Sequence, residues 1–103
     1  MQEVTLTIKH NGGLHARPAR LFVQLAKKFT STTITVARND HQANAKSILN
    51  LLTLGATMGT QITIRATGPD ELEAVKALQE LVESNFGESE DEPSDHVLPP
   101  PSQ

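Results

Sequence analysis

The sequence predicts an α+β fold: an open-faced two-layer sandwich of order β-α-β-β-α-β-α, with a four-stranded, mainly antiparallel sheet carrying three helices on one face. Two kinds of periodicity lead there. Short runs alternate apolar and polar residues with period two, as half-buried strands do. Between and after them lie stretches whose apolar residues recur at helical spacing, separated by turns containing Gly and Asn.

The elements follow in order. Val4, Leu6 and Ile8 alternate with Thr5 and Thr7, which predicts a strand with one buried face. Asn11, Gly12 and Gly13 break it as a turn. From Pro18 the period changes, and Leu21, Phe22, Leu25, Ala26 and Phe29 fall on one helical face. Pro18 suits the first helical position, where a missing N–H and a fixed φ cost nothing. Lys27 and Lys28 fall in the expected last turn, where cations favour the helix dipole. Residues 33–37 alternate again, Asn39 and Asp40 read as a turn, and residues 41–45 as a short edge strand. Residues 47–54 form a short, nearly all-apolar helix, and Gly55 and Gly59 bracket the loop after it. Residues 61–66 are the last strand. Gly68, Pro69 and Asp70 open the final helix, with Leu72, Val75, Leu78 and Val82 as its expected buried stripe and Asp70, Glu71 and Glu73 favouring its first turn.

Composition bounds the function. A chain of 103 residues has room for one compact domain. With no Trp or Tyr and three Phe, its core is aliphatic. With no Cys, disulfides, thiolate metal sites and thiol catalysis are excluded. The first residues form a strand pattern with an early acid, unlike a secretory signal. No run approaches the ~20 apolar residues of a membrane span. A soluble cytoplasmic protein is expected, with no membrane insertion. The net charge of −3 is uneven, because Glu88, Glu90, Asp91, Glu92 and Asp95 crowd the end of the chain, where no Lys or Arg occurs. The seven other acids face nine basic residues, so residues 1–86 are mildly basic. The expected organisation is a folded domain over 1–86 and an acidic, Pro-rich disordered tail or linker over 87–103. A mildly basic face without aromatic platforms argues against nucleic acid and suits an acidic protein partner.

The chemistry centres on His15. Gly13, Leu14, His15, Ala16, Arg17, Pro18 and Ala19 join a loop to a helix start. A histidine there, three residues before the proline, places its ring over a helix N-terminus, whose unpaired N–H groups and positive dipole end attract anions. Arg17 adds a fork of donors that fits phosphate oxygens, and Arg20 follows one turn on. Gly12 and Gly13 keep the approach open. A neutral imidazole is a nucleophile, and cationic surroundings favour that form. No paired carboxylate, second histidine or metal-ligand spacing accompanies it in the sequence, so no metal or cofactor is expected. His10, His41 and His96 share no spacing and read as surface residues. By itself, a lone histidine before a helix is an ordinary surface or capping residue.

The Gly-Leu-His-Ala-Arg-Pro-Ala string at 13–19 closely resembles the phosphorylation-site motif of HPr, the phosphocarrier family of the bacterial sugar phosphotransferase system. Residues 44–55, Asn-Ala-Lys-Ser-Ile-Leu-Asn-Leu-Leu-Thr-Leu-Gly, resemble the family's second signature, around a regulatory serine. The resemblance implies that His15 is phosphorylated through Nδ1 and that Arg17 stabilises the phosphate. It implies enzyme I, charged by phosphoenolpyruvate, as donor and EIIA domains of sugar transporters as acceptors. The protein would thus be a stoichiometric carrier rather than an enzyme, working as a monomer. Arg20 departs from the small residue usual in the family. The tail resembles linkers of fused phosphotransferase proteins in which such a domain precedes an enzyme I domain.

Ser47 stands where a helix N-cap is expected. The resemblance adds a regulatory role, phosphorylation by an HPr kinase/phosphorylase that blocks transfer. Ile48, Leu49, Leu51, Leu52 and Leu54 are too many for one buried stripe. Leu49 and Leu52 are the expected exposed members of an apolar docking patch, ringed by Arg17, Arg20, Lys27 and Lys46. The alternatives are an HPr-like regulator acting by binding partners through Ser47 or His15, a carrier of a nitrogen-linked phosphotransferase chain, and an unrelated α+β binding module. An intact His15 argues against a carrier-dead regulator.

Overall fold

The computed structural model describes residues 1–87. Its elements run β1 (Gln2–Thr7), α1 (Ala16–Ala26), β2 (Thr33–Arg38), β3 (His41–Asn44), α2 (Ile48–Leu52), β4 (Gln61–Thr67) and α3 (Glu71–Glu83), then a tight turn at Asn85–Gly87. That is the predicted order. Beyond Gly87, the expected tail lies outside the described residues.

The strands make one sheet in the order β1-β4-β2-β3, and every pairing is antiparallel. Register follows the apolar pattern: Val4 faces Ile64 and Leu6 faces Ile62 across β1 and β4, and Val36 faces Ile64 across β2 and β4. A slip of one residue would turn each of these side chains to the other face. One face is therefore apolar and buried, with Leu6, Ile34, Val36, Ile62 and Ile64 at its centre. The other face is polar. There the Thr5 and Thr63 hydroxyls meet at 3.0 Å, and Glu3 pairs with Arg65 at 3.3 Å.

The helices cover the apolar face. α3 lies over β1 and β4, and α1 packs against both α2 and α3. α1 buries Pro18, Ala19, Phe22, Val23 and Ala26. α3 buries Ala74, Val75, Leu78 and Val82. Leu72, expected in that stripe, is 51% exposed. On a helix of 3.6 residues per turn it stands about 120° round from Leu78, past the edge of the buried face. Ala74 takes the place it was expected to fill.

The end of α1 is tied to three other segments at one point. The Lys46 ammonium donates to the carbonyls of Phe29 and Thr32, each at 2.7 Å. Thr32 is buried, and its hydroxyl oxygen accepts the Asp70 N–H at 3.2 Å. Gly68 passes so close that a Cβ on it would lie 2.7 Å from the Thr32 Cα. Glu71 closes this corner, accepting the Gly68 N–H at 3.1 Å and pairing with the Met1 ammonium at 2.8 Å. The bond from the Met1 ammonium, then that from Gly68, hold its carboxyl below the usual carboxylate range.

The Lys46→Met variant keeps the aliphatic stem and removes both hydrogen bonds to carbonyls. It should lower stability by about 1–3 kcal/mol, read from urea denaturation.

Candidate functional site

α1 begins at Ala16, with His15 as its N-cap in extended conformation (φ −135°, ψ −172°). The helix thus starts two residues before the predicted Pro18. Pro18 is the third helical residue, where an N–H also lacks an intrahelical acceptor, so the reason that favours proline at the first position applies here too. The first intrahelical bond runs from Ala19 N–H to the His15 carbonyl at 2.9 Å. The N–H groups of Ala16 and Arg17 have no acceptor within the helix. The His15 imidazole does not cap them, and the residue is exposed. An imidazole beside the positive end of an 11-residue helix is thereby presented to solvent.

The loop before it is held by backbone bonds. Leu14 N–H donates to the Ala56 carbonyl at 2.8 Å, and His15 N–H to the Gly13 carbonyl at 3.1 Å. Gly13 has φ +70°; a Cβ there would run into the Ala56 carbonyl oxygen and lie 2.7 Å from the Thr57 Cα. Leu14 is buried. The 55–60 loop is fixed in turn to the end of β1, through Gly59 N–H to the Ile8 carbonyl (2.8 Å) and Ile8 N–H to the Thr60 carbonyl (2.9 Å).

A second histidine stands beside the site, which the sequence did not predict. A Cβ on Gly12 would lie 3.5 Å from His10 Nδ1 and 4.0 Å from His15 Nδ1, so the two rings flank one small space. His10 is half-buried; its Nδ1 accepts the Gly12 N–H at 3.0 Å. Its ring meets that of buried Phe86 edge-on, with centroids 5.9 Å apart. The available signal was local: an acceptor two residues before a glycine is the spacing of a side chain closing a turn on its own backbone. His41 is also engaged, its Nε2 lying 3.0 Å from the Thr53 hydroxyl. His96 lies outside the described residues.

The other candidates divide between the two ends of α1. Arg17 and Arg20 are exposed on its first two turns. Lys27 is the C-cap and Lys28 lies beyond it, because the helix ends at Ala26. Lys27 is therefore roughly 18 Å along the axis from His15. Lys46, expected on the rim of the patch, directs its ammonium inward to the Phe29 and Thr32 carbonyls. Ser47 caps α2 as expected, its hydroxyl oxygen accepting Asn50 N–H at 3.3 Å and the Asn50 side-chain amide at 3.2 Å. α2 buries Leu51, and Leu54 behind it is also buried; Leu49 (73%) and Leu52 (41%) are exposed. Arg38 closes the far end of α2, donating to the Leu54 carbonyl at 2.8 Å. Among the described residues no cluster of three or more His, Cys, Asp or Glu is placed to hold a metal ion, and no helix is long and apolar enough to cross a membrane.

Fold and site together define a small α+β domain that presents an exposed histidine at an anion-attracting helix end. The chain belongs to the HPr family of phosphocarriers of the phosphotransferase system: the family model described as the PTS HPr component phosphorylation site matches residues 2–84. The phosphocarrier protein HPr of Neisseria meningitidis is 41% identical over 90 residues, which is 87% of this chain and 100% of that protein. That of Cupriavidus necator is 43% identical over 84 residues, covering 82% of this chain and 93% of the relative. Among solved structures, HPr from Thermoanaerobacter tengcongensis superposes with a TM-score of 0.83 at 52% identity, over 86% of this chain and 99% of the other. A second structure from that organism is an HPr dimer, with a TM-score of 0.68 at 52% identity over 85% of this chain and 100% of the other.

Gly13→Ala should destabilise the fold by on the order of 2 kcal/mol, from a left-handed φ and a clash with the 56–57 backbone. Thermal denaturation followed by circular dichroism measures it.

Proposed function

We propose that this chain carries a phosphoryl group on His15, accepting it from phosphorylated enzyme I and donating it to EIIA domains of sugar transporters. The observation that supports this most directly is the exposed, non-capping imidazole at the N-terminus of α1, beside the first-turn N–H groups and Arg17. An imidazole nitrogen attacks phosphorus, the bond to the donor's histidine breaks, and the phosphoryl group arrives where N–H donors and a guanidinium face its oxygens. Arg17 is the phosphate-stabilising residue in this reading. Gly12, with no side chain, leaves the approach to His15 Nδ1 unobstructed on that side. The return step is the same displacement on an acceptor. The protein is a stoichiometric cytoplasmic carrier, one copy is sufficient, and each partner supplies the other half of the active site.

Partners dock on the exposed Leu49 and Leu52 of α2, with Ile48 beside them and Arg17 and Arg20 supplying positive charge from α1. Ser47 is the regulatory position in this reading. It immediately precedes that patch, so a phosphate placed there by an HPr kinase/phosphorylase brings about −2 charge against an acidic partner.

Incubating the protein with phosphoenolpyruvate and enzyme I should give an acid-labile phosphate that disappears in His15→Ala. Its absence from the wild type would refute the carrier reading. In a folded Leu49→Glu/Leu52→Glu double variant, the apparent KM for transfer from enzyme I should rise by roughly 10- to 100-fold, as for loss of an interface anchor. Unchanged transfer kinetics would remove the patch from the proposal.

A further inference from the structure

We propose that His10 is a positioning residue for His15: its Nδ1 must accept the Gly12 N–H to hold the turn that shapes the space beside His15 Nδ1, and a proton on that nitrogen releases the turn. The inference rests on the carrier reading of His15 and concerns how that residue is kept ready.

The 10–15 segment contains two consecutive glycines, which lose more conformational freedom on ordering than any other residue. Its order therefore depends on what its N–H groups bond. Four successive N–H groups are satisfied: Gly12 by His10 Nδ1 (3.0 Å), Gly13 by the His10 carbonyl (2.9 Å), Leu14 by Ala56 and His15 by Gly13. His10 thus supplies half of the acceptors, one from its ring and one from its backbone. The ring is itself seated, edge-on, against Phe86. Phe86 is buried with a left-handed φ of 57°, a strained conformation for a residue with a side chain, and Asn85 before it has φ 59°. The tight turn after α3 therefore places an aromatic wall against the imidazole that closes the active loop.

An imidazole nitrogen accepts a hydrogen bond only while it carries no proton; the imidazolium ion donates from both nitrogens and accepts at neither. Protonating His10 breaks the Gly12 bond and sets a cation across Gly12 from His15. Among the described residues, His15 is the titratable group across Gly12 from this ring, and Lys9 is the exposed chain neighbour of His10. Residues 57–60, which hold the end of β1, and the turn Asn85–Gly87 carry no titratable side chain.

The test is the pH dependence of phosphoryl acceptance from enzyme I by the wild type, His10→Asn and His10→Leu, together with the Gly12 amide shift followed by two-dimensional NMR. Leu keeps an apolar contact for Phe86 and offers no acceptor. Asn carries a side-chain oxygen that accepts an N–H two residues on, and it does not titrate. In the wild type the Gly12 amide should titrate together with the His10 ring. His10→Leu should slow acceptance roughly 5- to 10-fold at neutral pH with the KM for enzyme I unchanged, the scale of one lost hydrogen bond. His10→Asn should restore the rate, and its acid limb should show one ionisation, that of His15, where the wild type shows two. A wild-type rate in His10→Leu, or an uncorrected loss in His10→Asn, overturns the proposal. Should His10→Leu fail to fold, coincident pH profiles for the wild type and His10→Asn overturn it. A wild type that accepts no phosphate would defeat the carrier reading instead, and the Gly12 titration would still report whether His10 holds the turn.

Discussion

The site depends on one close approach of two backbones, where Gly13 passes against Ala56 and Thr57 and Leu14 N–H bonds the Ala56 carbonyl. The bond turns Leu14 into the core, where it is 2% exposed. The next residue is extended, and neighbours in extended chain point to opposite sides. The exposure of His15 is therefore a consequence of the burial of Leu14. The wall it leans on is fixed to β1 by the two bonds between Ile8 and residues 59 and 60. His15 thus inherits its position from the sheet, although it sits on a loop.

Several other helix ends in this layer are closed by side chains from elsewhere in the fold. The carbonyls beyond its C-terminus receive the Lys46 ammonium, and those after α2 receive Arg38. The start of α2 is capped by Ser47, and the Asp70 N–H at the start of α3 is taken by the Thr32 hydroxyl. At α1 the N-cap side chain makes no bond to the first turn, and the residue lies in solvent. In the carrier reading the N–H groups of that first turn are what the incoming phosphate meets.

How much of this was legible follows from the range of each interaction. The strands and the apolar register were visible because period two is a local signal, and so was the Ser47 cap, which needs only a serine before a helical run. The start of α1 was misplaced because proline is tolerated throughout the first turn and so marks a helix entrance only to within a residue or two. Leu72 misled because an apolar residue at i−3 from Val75 satisfies the helical pattern while standing off the buried arc. The role of Lys46 and the wall behind His10 were beyond reach for a different reason. The partners of Lys46 are carbonyls 14 and 17 residues away, and the Phe86 wall behind His10 comes from the far end of the fold. Sequence spacing reports faces of one element, not what a distant loop brings to them.

The exposure of the site also bears on its energetics. In the carrier reading, a group that must be received from one protein and surrendered to the next cannot sit in a deep well, since each 1.4 kcal/mol of extra holding would slow departure about tenfold. Helix-end N–H groups and surface guanidinium groups are screened by water and salt, so each contributes modestly. A buried cationic cluster would bind phosphate more tightly and release it more slowly. The modest well carries a second requirement, because weak interactions orient a group only if the frame around them is stiff. Two glycines make the approach to His15 open and also make it loose, and the acceptors on His10 and Ala56 restore the stiffness that the glycines remove. Openness at the nucleophile and rigidity in the loop behind it are thus met by different residues, which is how a site exposed on one side can still be positioned.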